Sequence, residues 1–211
     1  MIYMNNFLVE NIVDEVVKKI KDEVFIEVEA SGRHVHLSKE HVEILFGKNY
    51  ELTRVKDLSQ PGQFACKERV TITGPKGSIN NVVVLGPERK NTQVEVSLTD
   101  AVILGMKPPV KESGHIEGTP GIKVSTERAS IELDKGVIVA KRHIHITPKD
   151  AEKFNVKDKE IVKAKVYGNR PLIFDDVVIR VSDKFRTYMH IDYDEANACG
   201  FTKGTFCRIV K

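Results

Sequence analysis

Hydrophobic positions change their spacing once, near the start of the chain. Over residues 5–22, Phe7, Leu8, Ile12, Val16 and Ile20 recur about once per helical turn with charges between them. That spacing predicts an amphipathic helix. From Val24 onward the apolar residues fall into short β-prone runs, the first of them carrying Phe25, Val28, Val35 and Leu37. Later runs at 70–73, 80–85, 92–96, 131–133, 136–140, 162–167, 176–181, 186–191 and 206–210 are rich in Val, Ile and Thr and bounded by Gly, Pro, Asn and Asp. Each predicts a strand. Residues 38–46, 97–104, 147–154 and 193–199 read as short helices. Ser38 and Thr147 stand where N-caps belong, and Pro148 takes the first helical position with acidic residues behind it. Residues 107–121 hold three of the eight prolines and form a loop, either a linker or a binding loop. The sum is a mainly β protein of small barrels or sandwiches.

One supersecondary plan occurs twice. Arg33-His34-Val35-His36-Leu37-Ser38 recurs 109 residues later as Arg142-His143-Ile144-His145-Ile146-Thr147. Ser31 then corresponds to Ala140. A second match, at an offset of 95, sets Val94-Glu95-Val96 and its following helix against Met189-His190-Ile191 and its helix. The same register pairs 82–84 with 177–179. The repeat predicts two similar β domains with approximate two-fold symmetry, one copy running from about Arg33 to Ala140 and the other from Lys141 onward.

Composition narrows the class. The chain has 211 residues, 41% hydrophobic and 30% charged, enough for a real core. No stretch approaches the roughly 18 apolar residues of a membrane span, and residues 1–10 lack the character of a secretory signal. Three cysteines imply no disulfide framework and suit a reducing cytoplasm. A net charge of +3 does not suggest a nucleic-acid binder.

The chemistry lies in the histidines. Residues i and i+2 of a strand share a face, so His34 projects with His36 and His143 with His145. The repeat adds a third ligand to each pair, Glu95 in one copy and His190 in the other. Two half-sites result: His34, His36 and Glu95; His143, His145 and His190. Three protein ligands with an open position are the pattern of a catalytic metal. Pseudo-symmetry would bring both toward the domain junction. His41 reads as a helix surface residue, and His115 as a substrate contact or a solvated loop residue. Cys66, Cys199 and Cys207 read as small core residues. Arg89, in the turn leading to Glu95, offers a guanidinium fork suited to phosphate. Arg33 and Arg142, on the opposite strand face, take structural roles. Gly74-Pro75-Lys76-Gly77 is a hairpin turn, without the ending of a phosphate loop.

At these residues the chain resembles the PduL-type phosphate acyltransferases, the phosphate propanoyltransferases. The resemblance runs from about Glu27 onward and rests on the strings SGRHVHLS, GPERKNTQVEVSLTDA, SGHIEGTPG and AKRHIHITPKDA and on the strand around His190. It implies interconversion of acyl-CoA plus phosphate with acyl phosphate plus CoA, with two divalent metals, usually zinc, at the junction of two β-barrels. The family's metal ligands match His34, His36 and Glu95 in one site and His143, His145 and His190 in the other. Its phosphate-contacting arginine matches Arg89, and its CoA-lining residues fall near Ser31, Ala140 and Asn197. It also implies an exchange of strands: one barrel from residues 23–32 with 141–211, the other from 33–140, preceded by the helix of 1–22. Among partners it implies a homodimer and the shell or core proteins of a bacterial microcompartment. The helix runs almost directly into the first strand, which favours docking on the barrels or oligomer contacts over an encapsulation peptide. The expected mechanism is attack of phosphate, held by Arg89 and one metal, on the thioester, with no acyl-enzyme. The rivals are a metal-dependent hydrolase and a cupin-like metal-binding module.

Overall fold

Strand pairing sorts the chain into a closed barrel and an open sheet in the computed structural model, which describes residues 2–210. The elements begin with α1 (Ile2–Val24), β1 (Ile26–Ser31), β2 (His34–His36), α2 (Lys39–Phe46), β3 (Arg54–Asp57), β4 (Phe64–Thr73), β5 (Ser78–Gly86), β6 (Gln93–Glu95) and α3 (Leu98–Leu104). They continue with β7 (Val110–Lys111), β8 (Ile122–Ser125), β9 (Ser130–Leu133), β10 (Val137–Ala140), β11 (His143–Ile146) and α4 (Pro148–Lys153). The chain then forms β12 (Ile161–Val166), β13 (Leu172–Val181), β14 (Tyr188–Asp192), α5 (Tyr193–Cys199) and β15 (Phe206–Val210). The fold is mainly β, built as two β units with short helices.

The barrel runs β1-β14-β11-β13-β12-β15 and closes through antiparallel pairing of β1 with β15, Ile26 opposite Cys207. Closure leaves no unpaired strand edge. Its interior is filled by alternate residues of each strand, among them Val28, Ile144, Ile146, Ile179 and Met189, all at most 1% exposed. The open sheet runs β7-β10-β6-β2-β5-β4-β8-β9, with β3 added on β4. Val35, Leu37, Ile72, Val84 and Val94 form its core and are fully buried. Gly74 and Gly77 close the turn between β4 and β5 through a 2.9 Å backbone bond, as the hairpin expectation required.

By density of contacts the chain divides into two units, each discontinuous in sequence. One comprises the segment ending at Glu29, His143–His190 and the segment from Cys199; the other comprises Ala30–Arg142 and Ile191–Ala198. β1 and β10 are equivalent strands of the repeat, each leading into a His-x-His strand. Yet β1 pairs in the barrel, away from β2, and β10 pairs with β6 and β7 in the open sheet, away from β11.

Some details depart from the sequence pattern. The first helix extends over Ile2–Val24, and Leu8, Ile12 and Val16 are 49–57% exposed, so α1 does not dock on the barrel through that stripe. The side chains of Phe7 and Ile20 lie outside the described residues. β3 gives no periodic signal because all four of its residues are exposed, and β7 is only two residues long. The stretch 107–121 is not a linker. Ile116 and Thr119 are buried, Val137 donates a 3.0 Å backbone bond to Pro120, and Gly136 donates one of 2.8 Å to Thr119 Oγ1. Gly121 passes so close to Leu133 that an added Cβ would sit 1.8 Å from its carbonyl oxygen.

Ile144 stands between the two histidines of β11 and points to the barrel core. Ile144→Ala is expected to lower unfolding free energy by about 2–5 kcal/mol, measured by chemical denaturation.

Candidate metal centres

Each candidate ligand is placed by strand register. In the open sheet, β2 lies antiparallel to β6 with His34 opposite Glu95, and parallel to β5 with His34 opposite Val83. In the barrel, β11 lies antiparallel to β14 with His143 opposite His190, and parallel to β13 with His143 opposite Val178. The two registers are one register repeated: 34 to 143 is the first offset, and 83 to 178 and 95 to 190 are the second. Alternation then places His36 beside His34, and His145 beside His143, on the ligand face. The structure brings each predicted triad together, with ligand atoms all within 4.8 Å of one another.

Local chemistry fixes the rings. His34 Nδ1 donates a 2.8 Å bond to the Gly32 carbonyl, which leaves Nε2, 3.5 Å from Glu95 Oε2, as the lone-pair nitrogen when the ring is neutral. His36 Nε2 is 3.9 Å from Glu95 Oε1. In the second triad His143 and His190 stack at 5.1 Å, His145 lies edge-on to both, and His145 also stacks on Phe185 at 4.0 Å. His190 Nδ1 faces Glu29 Oε2 at 3.8 Å. Among the described residues two buried side-chain polar atoms lack a hydrogen-bond partner: His36 Nδ1 and His145 Nδ1. They occupy equivalent positions of the repeat.

Titration behaviour fits the same use. Burial holds His36 well below its ordinary value, helped by the charges of His34 and Arg89. Burial likewise pushes His145 down to about 2, with His143, His190 and Arg180 adding to it. Both rings are therefore neutral near pH 7, the form that binds a metal. His34 differs. Its burial opposes protonation, but the charge of Glu95 and its hydrogen bond outweigh this and raise it. Burial likewise opposes ionisation of Glu95, but His34, then His36 and Ser113, hold that carboxyl far below the usual range. The two groups are thus coupled, each favouring the charged form of the other. Two imidazoles with a carboxylate, and three imidazoles, are donor sets that suit zinc and related first-row ions. The residues fit the metals that the resemblance implied.

Arg89 lies beside the first triad. Its backbone N–H donates to the Leu37 carbonyl at 2.9 Å, and Nη1 donates to Ser113 Oγ at 3.0 Å. Ser31 ends β1, Ala140 ends β10 and Asn197 sits on α5; Ser31 and Asn197 are exposed. His41 is not a plain surface residue: it is half-buried, and Nδ1 is 2.7 Å from Thr92 Oγ1. His115 is exposed. Arg33 pairs with Asp100 at 2.9 Å and Arg142 with Glu195 at 2.8 Å, matched positions of the repeat and the structural roles expected of them. All three cysteines are buried, and burial pushes the Cys66 thiol up to about 11 and the Cys207 thiol to about 12, so neither is a ready nucleophile. Sequence reasoning missed Gln93 and Ser113, which bond Glu95 at 2.6 and 2.7 Å. The signal for Gln93 was available in the strand alternation that set it on the face of Glu95. Ser113 had only its place in the loop.

The neutral histidines set a pH dependence. Unfolded, His36 and His145 return to an ordinary pKa of about 6.5 and bind protons that the folded chain refuses. His34 is protonated in both states below about 6.5 and adds nothing there. Stability of the chelator-treated protein is therefore expected to fall as pH drops from about 6.5 to 5, by up to about 1.4 kcal/mol per pH unit per histidine. Urea denaturation across that range checks it, and a His145→Phe variant should show a shallower slope.

Known proteins of one family match the chain. The family model for phosphate propanoyltransferase matches residues 27–202. Proteins named phosphate propanoyltransferase are 72% identical in Clostridioides difficile, over 99% of this chain and 99% of the relative, and 61% identical in Listeria monocytogenes, over 99% and 98%. One from Thermotoga maritima is 57% identical over 94% of this chain and 95% of its own. These matches show that the chain belongs to the phosphate propanoyltransferase family and is a phosphate acyltransferase.

Proposed function

We propose that the protein interconverts short-chain acyl-CoA plus phosphate with acyl phosphate plus CoA, using two divalent metal ions held by the two triads. The observation that carries the proposal is the recurrence, at one register, of a cluster of three candidate ligands within 4.8 Å of one another, whose second histidine is buried and neutral in both copies. His34, His36 and Glu95 would hold one ion, and His143, His145 and His190 the other. Bound there, the ions would stabilise the negative charge that develops on the thioester oxygen or the departing thiolate.

The chain's own residues supply binding and orientation. Arg89 binds phosphate through its guanidinium fork, and its bond to Ser113 fixes the fork beside Glu95. A phosphate oxygen forms the new bond to the acyl carbon, the C–S bond breaks, and CoA leaves as the thiolate, so no residue needs to carry the acyl group. Much of the acceleration then comes from holding phosphate against the carbonyl. Ser31, Ala140 and Asn197 are proposed for the CoA side on the family resemblance. Zinc is the proposed metal, on donor chemistry.

A coupled assay for CoA release tests the proposal. Exhaustive chelation, or the double substitution His143→Ala/His145→Ala, is expected to lower turnover by about 10²-fold or more. Full activity after either treatment would overturn the metal assignment. Free acid as product, formed without dependence on phosphate, would favour a hydrolase. Arg89→Ala should lower kcat/KM for phosphate by about 10- to 100-fold, with both kcat and KM affected, as expected for loss of a charge-assisted bond.

A further inference from the structure

Behind the first triad stands a carboxamide that the other copy does not repeat. Gln93 lies two residues before Glu95 on β6, opposite His36, and is 1% exposed. Its Nε2 donates to Glu95 Oε1 at 2.6 Å and to Ser113 Oγ at 2.9 Å. Its Oε1 accepts from the backbone N–H of Gly114 at 2.7 Å. Ser113 Oγ in turn donates to the same Glu95 Oε1 at 2.7 Å and accepts from Arg89 Nη1 at 3.0 Å. Two donors therefore converge on one carboxylate oxygen, while the other, Oε2, faces His34 Nε2 at 3.5 Å.

We infer that Gln93 is a positioning residue: with Ser113 it clamps Oε1 of Glu95, presents Oε2 as the ligand oxygen, and ties that orientation to Arg89. The inference rests on the proposed metal site of the first triad. A glutamate side chain is flexible and its carboxylate can bind through either oxygen or both, so an unclamped Glu95 would lose order and affinity. A carboxamide suits the position because one end donates to a carboxylate while the other accepts a backbone N–H. A carboxylate there would repel Glu95, and an apolar side chain would leave Gly114 N–H unpaired. In the second copy the third ligand is His190, a rigid ring, and Tyr188 occupies the position of Gln93 opposite His145. A ring needs no carboxylate clamp, which accounts for the missing counterpart. The Gly114 bond also anchors the loop that carries Ser113, so the loop and the ligand move together.

The test is zinc titration of the full chain by calorimetry with a competing chelator. The variants are Gln93→Leu and Ser113→Ala, each also made in the His143→Ala/His145→Ala background that leaves only the first triad. For Gln93→Leu we expect zinc affinity at the first triad to fall about 10- to 100-fold, with the second triad unchanged and KM for phosphate raised. For Ser113→Ala, in the loop and away from the core, a smaller fall of about 2- to 10-fold is expected. Ser113→Ala carries the test alone if Gln93→Leu does not fold. Unchanged affinity at the first triad, in variants whose thermal unfolding matches wild type, would overturn the inference. A wild-type protein that binds no zinc at either triad would instead overturn the metal site itself, and this inference with it.

Discussion

Everything at the candidate site depends on strand register. A strand shows one face every second residue, and its neighbour decides which residue stands across from each. Pairing His34 with Glu95, and His143 with His190, converts four separated positions into two chelating edges. The parallel neighbour on the other side, through Val83 or Val178, holds the histidine strand centrally in its sheet. A slip of one residue would turn both histidines of a pair away from the third ligand and set Val35 or Ile144, now fully buried, in their place. The core that surrounds these strands thus maintains the donor geometry as well as the stability.

The two copies solve the same electrostatic problem differently. In the barrel triad, burial and repulsion from His143 and His190 hold His145 neutral. The sheet triad contains a carboxylate, and there the shifts oppose one another: the charge of Glu95 raises His34, and His34 holds Glu95 low. Around it the chain adds donors, Gln93 and Ser113, absent from the equivalent place in the barrel. Away from the ligands the symmetry holds. Arg33 and Arg142 turn to the opposite face and meet Asp100 and Glu195, the acidic third residues of α3 and α5. In both helices that residue also closes a capping box, with Ser97 and with Asp192 respectively. Each arginine, one residue before a His-x-His pair, is thus tied to the helix that follows the third candidate ligand.

Much of this was legible because it rests on short-range rules. Period-two alternation gave the paired histidines, the repeat gave Glu95 and His190, and Ser38 and Thr147 marked helix starts that the structure shows. What escaped depends on contacts between distant residues. The fully exposed β3 has no apolar face to announce it, and it is a strand only because β4 offers an edge. Residues 107–121 looked like punctuation, yet their backbone completes the edge of β10, and their Ser113 reaches an acid 18 positions away. His41 looked like surface until Thr92 was brought against it. In each case the partner was set by topology rather than by local composition.

The pairing of β1 with β15 has a consequence for the order in which the molecule can form. β1 is made well before Phe206–Val210, and until that strand arrives the barrel lacks a complete wall. The open sheet has no such dependence, since all its strands lie between His34 and Ala140. During synthesis the sheet can gather its contacts while β1 remains an exposed, unpaired edge. Ile26 and Cys207 lie far apart in sequence, and their pairing is the slow, late event expected of high contact order.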